Sequence, residues 1–317
     1  MYRWSIIALA FWGIQTILGG DTLYQYINKI PGISDFSSVS GDGGISAIIY
    51  SIQPTTTSIL YGLPIPRNCG FAWEPGGYAI YLCLAIFINL FMTNPKNKFN
   101  LKFWVLLLAL LSTQSTTGYS IFIVIILFYY LNKRSDMIVF IMPLLIVASI
   151  SVFLLPFMSK KIITFIKDTN DIDYIVWQSI GNESGIAPQR FTSFLISFRD
   201  FYNNPILGNA GITGESWYSK IGANISPISG IGNLLANLGI IGFLFFMILT
   251  IKTSIFFSNY FNYKGKLLFF IIILFISISY SVIFVPLVMT FWMFKLFFSK
   301  NDENIKTKYS INNSIAL

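Results

Sequence analysis

Two stretches of this chain concentrate side chains able to do chemistry. The first reads Pro64-Ile65-Pro66-Arg67-Asn68-Cys69-Gly70-Phe71-Ala72-Trp73-Glu74-Pro75-Gly76-Gly77, so prolines and glycines restrict the backbone around one cation and one carboxylate. Glu74 stands just before Pro75 at the start of an apolar run, which predicts a carboxylate close to the positive N-terminal end of a helix. A guanidinium stays charged and grips phosphate through two parallel N–H bonds, so Arg67 suits an anionic ligand. Arg67 as a lipid-headgroup contact and Glu74 as a mere helix-start residue are the simpler readings, and the segment alone leaves both open.

The second stretch runs from Pro188 to Gly211. Within it Phe191, Phe194, Leu195, Phe198 and Phe201 recur at a helical period, which predicts an amphipathic helix lying at a membrane interface and ending before Pro205. Arg190 and Arg199 belong to that helix. Nine positions separate them, about half a turn out of phase at 100° per residue, so they cannot face one point. One of them can serve a substrate while the other serves lipid or protein, or both can serve ordinary lipid phosphate. Between the two stretches lies the polar run Ser112-Thr113-Gln114-Ser115-Thr116-Thr117-Gly118. Ser115 and Thr116 there are candidates for contacting sugar hydroxyls, with helix capping as the plainer alternative. A further run, Asn224 to Gly242, mixes small residues and asparagines that suit close helix packing.

What is missing narrows the chemistry. The chain has no histidine and two cysteines, Cys69 and Cys83, with no metal-ligand spacing, so neither a metal nor another cofactor is expected. Acid–base work must fall to carboxylates, hydroxyls or the substrate itself.

These residues need elements to hold them, and composition says what kind. Apolar residues form 55% of the 317 positions and charged ones 11%, far from the balance of a soluble protein. The expected fold is an all-α polytopic membrane protein, a single membrane domain over 1–317. About eight spans are expected, at 4–20, 77–93, 103–116, 117–132, 137–157, 229–251, 267–282 and 283–298. The first is expected to be a retained helix, since no small-residue cleavage site follows it. With the N-terminus in the cytoplasm, thirteen of the 21 basic residues and only three acids fall on the cytoplasmic side. The positive-inside rule therefore predicts a multi-pass protein of the bacterial cytoplasmic (inner) membrane with both termini cytoplasmic, including a tail over 299–317. The net charge of +8 then reports topology, and no nucleic-acid partner is expected. Two long loops, 21–76 and 158–228, face outward, which locates the work outside.

The run Arg67-x-x-Gly70-Phe71-x-x-Glu74-Pro75, the Ser112–Gly118 patch and the run Arg199 through Asn204-Pro205-Ile206-Leu207-Gly208 together resemble the O-antigen polymerase and ligase superfamily, the Wzy-like proteins. That resemblance implies a metal-independent glycosyltransferase. Its substrate would be an undecaprenyl-pyrophosphate-linked oligosaccharide, moved onto another lipid-linked repeat unit during assembly of O-antigen, capsule or exopolysaccharide. Arg67, Arg190 and Arg199 become candidates for pyrophosphate binding, and Glu74 for orienting or deprotonating the acceptor. Membrane lipid is an implied partner, and a chain-length regulator a candidate one. Ligases of the superfamily are expected to use an outer-loop histidine, so its absence favours a polymerase. A ligase-type transfer remains the alternative within the enzyme class. A polysaccharide-unit flippase or transporter is the rival outside it, though few ionisable residues fall inside the spans to couple ions.

Overall fold

The computed structural model describes residues 1–29, 38–39, 45–46, 50–52, 59–60, 63–72, 74–93, 98–133, 172–181, 185–188, 190–211, 215–281 and 286–297. The chain is mostly helical with little strand. It divides into two compact units, Met1–Asp171 and Ile172–Leu317.

The first unit opens with α1 (Tyr2–Leu18), an apolar helix that stops at Gly19, followed by α2 (Gly20–Asn28). Among the described residues that follow, five two-residue strands form. β1 (Ser38–Val39), β2 (Ile45–Ser46) and β3 (Ser51–Ile52) form an antiparallel sheet with Val39 opposite Ile45 and Ser46 opposite Ser51, and β4 (Ile59–Leu60) pairs with β5 (Leu63–Pro64). No local periodicity predicts a strand here, because pairing depends on a partner segment. This region is tied to α1: Tyr50 is fully buried, stacks on Phe11 and donates to Gln15 Oε1 at 2.8 Å. Leu23, Tyr50 and Ile52 form a small core against Phe11, Trp12 and Tyr24.

The rest of the unit's described residues form three apolar helices. α3 (Pro75–Phe87) continues through one π-helical stretch, Ile88–Met92, and packs against α4 (Leu101–Ser112) and α5 (Thr116–Lys133). Asn100 starts α4 by accepting from the Phe103 N–H at 3.0 Å. The chain reverses at Thr113–Ser115, with Gln114 in the left-handed region at φ 49°. Ser115 Oγ then accepts from the Gly118 N–H at 3.3 Å, which starts α5. The span expected at 137–157 and the tail over 299–317 lie outside the described residues.

The second unit contains α6 (Ile172–Ser179), α7 (Arg190–Asn203), α8 (Trp217–Lys220), α9 (Gly230–Tyr260), α10 (Leu268–Ser279), α11 (Pro286–Trp292) and α12 (Phe294–Phe297). α7 packs on the first part of α9, and α10 lies along α9 as well. Hydroxyls of α9 stitch its neighbours in place. Ser254 donates to Lys266 O at 2.7 Å and accepts from the Phe270 N–H at 3.1 Å, while Thr253 donates to Trp292 O at 2.9 Å.

Two helices among the described residues are long and apolar enough to cross a membrane, Pro75–Met92 and Gly230–Tyr260, and Leu101–Ser112, Thr116–Leu131 and Leu268–Ile278 are shorter apolar helices. The expected boundaries at 229–251 and 283–298 change. α9 continues past Lys252 to Tyr260, and the last apolar run is two pieces, α11 and α12. α9 is broken once, at Gly239, whose φ 61° and ψ −163° suit glycine alone. The segment after α7 fills that break. Helical N–H groups of Ile240 and Ile241 bond to Pro205 O at 2.8 Å and Ile206 O at 3.4 Å, and the vacated carbonyls of Ala236 and Asn237 accept from Asn209 N at 2.8 Å and Gly211 N at 3.0 Å.

Candidate functional site

In the first unit, the segment 65–72 is held on both sides. Trp12 Nε1 donates to Pro66 O at 2.7 Å, and Gln114 Nε2 donates to Ile65 O at 3.3 Å. Asn68 is fully buried; its N–H reaches Ser112 O at 3.0 Å and its Nδ2 reaches Ser112 Oγ at 2.9 Å. The guanidinium of Arg67 donates through Nε to Thr113 O and through Nη2 to Gln114 O, both at 3.2 Å. Those carbonyls follow the C-terminal end of α4, where a cation complements the helix dipole. Arg67 and the polar patch are thus brought together, as carbonyl acceptors and a cation.

Glu74 is the residue before α3, extended at φ −148° and ψ 157°, with Pro75 in the first helical turn. Its side chain makes no capping hydrogen bond to α3 and is half-buried. Cys69 links the two charges: its buried thiol is pushed up by desolvation, pulled down by Arg67 and raised further by Glu74. Ser115 is buried and its hydroxyl caps α5, while Thr116 is half-buried at the start of that helix.

In the second unit, α7 carries both other arginines to different neighbours, as their phase requires. The Arg190 guanidinium lies over the Tyr280 ring at 3.8 Å. That of Arg199 lies over the Trp217 ring at 4.1 Å, with Asp173 Oδ1 3.7 Å from Nη1. Both side chains of this ion pair are more exposed than buried, so it contributes little to stability. The Trp217 ring gives the guanidinium a fixed neighbour while the side chain as a whole stays more exposed than buried.

Three groups at this site escaped the sequence reading. Asp200 is buried, and its Oδ1 accepts from the Trp217 N–H at 2.7 Å. Trp217 in turn donates from Nε1 to Ile196 O at 3.1 Å, so the ring under Arg199 is fixed at both ends. Desolvation raises the Asp200 pKa against the opposing pull of the Trp217 N–H, the Asn209 side chain and Lys220. The readable signal was phase: Thr192, Ile196 and Asp200 recur every four residues, which places a carboxylate on a buried face. The third group is Asn233, which accepts from Ser197 Oγ at 3.0 Å and donates to Pro227 O and Ser281 Oγ, both at 2.9 Å. It binds α7 to the start of α9 and the end of α10. Val176, Ile196, Ala223 and Ile225 form the apolar core behind α7.

Among the described residues, no group of three or more His, Cys, Asp and Glu side chains is placed to hold a metal ion. What the two arrangements offer chemically is guanidinium groups held on backbone carbonyls and on an aromatic ring, with one carboxylate at a helix start. No protein-family model matches this chain, and no curated protein or solved structure matches it.

Proposed function

We propose that this chain is a polysaccharide polymerase of the bacterial cytoplasmic membrane, crossing it several times with both termini in the cytoplasm. It transfers an undecaprenyl-pyrophosphate-linked glycan onto the non-reducing end of a second lipid-linked repeat unit. The acceptor hydroxyl oxygen bonds to the anomeric carbon as the bond from that carbon to the pyrophosphate oxygen breaks. The bonding pair leaves with the lipid pyrophosphate, and the hydroxyl proton passes to a base. Arg67, Arg190 and Arg199 are the candidates for stabilising the growing pyrophosphate charge, with one of the two α7 arginines in that role and the other on lipid or protein, and Glu74 orients the acceptor or takes its proton. Of the two sugar-contact candidates, Thr116 is half-buried at the start of α5, whereas the Ser115 hydroxyl is buried in the cap of that helix.

The observation that carries this reading is the order of three segments along an apolar, mostly helical chain: Arg67 to Pro75, Ser112 to Gly118, and Arg199 to Gly208. The position of Arg199 over the Trp217 ring adds support, because a guanidinium already held on a ring loses less freedom when it binds phosphate.

The test is a deletion in the native host, with the surface glycan displayed by gel and complemented by wild type, Arg199→Ala or Glu74→Ala. Arg67→Ala is less informative because it also removes two bonds to the α4–α5 turn. A polymerase leaves single repeat units in the deletion strain and regains the ladder with wild type. Arg199→Ala is expected to slow chain growth roughly 100-fold, the scale for losing one charge-stabilising group. A ladder that persists on its carrier without reaching a final acceptor would instead identify a ligase. Repeat units trapped on the cytoplasmic face would identify a flippase. Normal long chains in a deletion strain lacking a second polymerase refute the proposal.

A further inference from the structure

The corner between α7 and the break in α9 exposes large apolar side chains. Tyr202 is 79% exposed, Ile206 63% and Leu207 64%. They adjoin the break, because the Ile240 and Ile241 N–H groups bond to Pro205 O and Ile206 O. Immediately beyond the break α9 exposes Ile240, Ile241, Leu244, Phe245 and Ile248. The apolar surface of the corner is therefore continuous with the outer face of the longer of the two helices able to cross a membrane.

Length sets the depth. From Ile240 to Tyr260 the helix spans about 32 Å at 1.5 Å per residue, close to a hydrocarbon core of about 30 Å. Lys264 and Lys266 follow that end, as a cytoplasmic boundary requires. This count makes Lys252 snorkel. Counting about 20 residues back from Lys252 instead carries the break deeper into the bilayer. Either count brings Ile206 and Leu207 to the outer hydrocarbon edge or below it. The backbone agrees. Hydrocarbon tolerates irregular chain only where its polar groups are paired, and the segment 205–211 exchanges four hydrogen bonds with the interrupted helix.

We infer that Tyr202, Ile206 and Leu207 form a wedge that inserts into the outer leaflet of the bilayer. The occupant of this apolar surface is lipid acyl chain. The wedge sets the height of α7, and Arg199 lies within one turn of Tyr202, so its guanidinium is held at the level of lipid phosphate. The inference rests on the membrane-spanning part of the proposed function and not on its chemistry.

Nitroxide labels at Leu207→Cys and, as reference, Ile248→Cys test it in the full chain reconstituted into phosphatidylglycerol–phosphatidylethanolamine vesicles. Both native cysteines are buried, and wild type carried through the same labelling gives the background. Power saturation compares access to oxygen, which concentrates in lipid, with access to a water-soluble nickel chelate. The label at 207 is expected to be open to oxygen and shielded from the chelate, as at 248. Chelate access at 207 with lipid exposure at 248 overturns the wedge and leaves the spanning helix intact. Shielding of 207 from both quenchers also overturns it, since protein and not lipid would then cover the corner. Chelate access at both positions overturns the spanning helix together with the wedge.

Discussion

Folding takes the carboxylate of Asp200 out of water and gives it the Trp217 N–H as a donor at 2.7 Å. Desolvation outweighs that donor, so its pKa rises above the ordinary carboxylate value. A raised folded pKa means the native state holds the proton more tightly than the unfolded chain. Its stabilising contribution is therefore present at acid pH and is lost as pH rises through the folded value. Asp200→Asn keeps an acceptor for Trp217 and removes the disfavoured charge. Thermal melting in detergent is expected to put this variant at or above wild type at neutral pH, with the difference closing below pH of about 3.9. A variant that melts lower at neutral pH would show that attraction to Lys220 dominates instead. Asp200→Leu leaves the Trp217 N–H without its acceptor and is expected to cost about 1–3 kcal/mol.

At the scale of elements, the exchange between the 205–211 segment and α9 depends on two glycines. A Cβ on Gly208 would lie 2.5 Å from Ala236 O, and one on Gly239 would collide with Ile206 O. Both residues also have positive φ, 63° and 61°. Gly239→Ala is expected to destabilise the protein by about 1–3 kcal/mol from backbone strain before the collision is counted. Gly13 in α1 meets nothing within 4 Å, so Gly13→Ala is the control and is expected to be neutral or to stabilise by about 0.5–1 kcal/mol. Equal melting of the two variants would show that the break in α9 is not needed for folding. α7 is held to α9 by Asn233 as well, so losing the exchange loosens the helix that carries Arg190 and Arg199 without detaching it.

For the whole molecule the testable quantity is orientation. A fluorescent protein fused after Leu317 is expected to fluoresce, as only cytoplasmic fusions of that kind do. Alkaline phosphatase fused after Asn203 is expected to be active, which requires export. The opposite pattern would invert the placement of both long loops and with it the proposed site of transfer. The basic residues that predict this orientation include Lys98, Lys102, Lys264 and Lys266, each near the end of an apolar helix.

The apolar, helical character of the chain, the helix around Phe191 to Phe201 and the divergence of Arg190 from Arg199 were all legible in the amino-acid order. Hydropathy and helical phase are local quantities, and both can be read without knowing what a segment touches. That order also marked Glu74 as a helix-start residue, because Pro75 and its glycines are local signals. Packing in three dimensions set the rest: Arg67 grips carbonyls at Thr113 and Gln114, buried Asp200 accepts from the Trp217 N–H, and the chain from Pro205 onward repairs the break at Gly239. Each of those joins residues from 17 to 47 positions apart, such as Asp200 with Trp217 and Arg67 with Gln114. A polar group's partner is chosen by which distant segment packing brings beside it, and no periodicity in the chain encodes that choice.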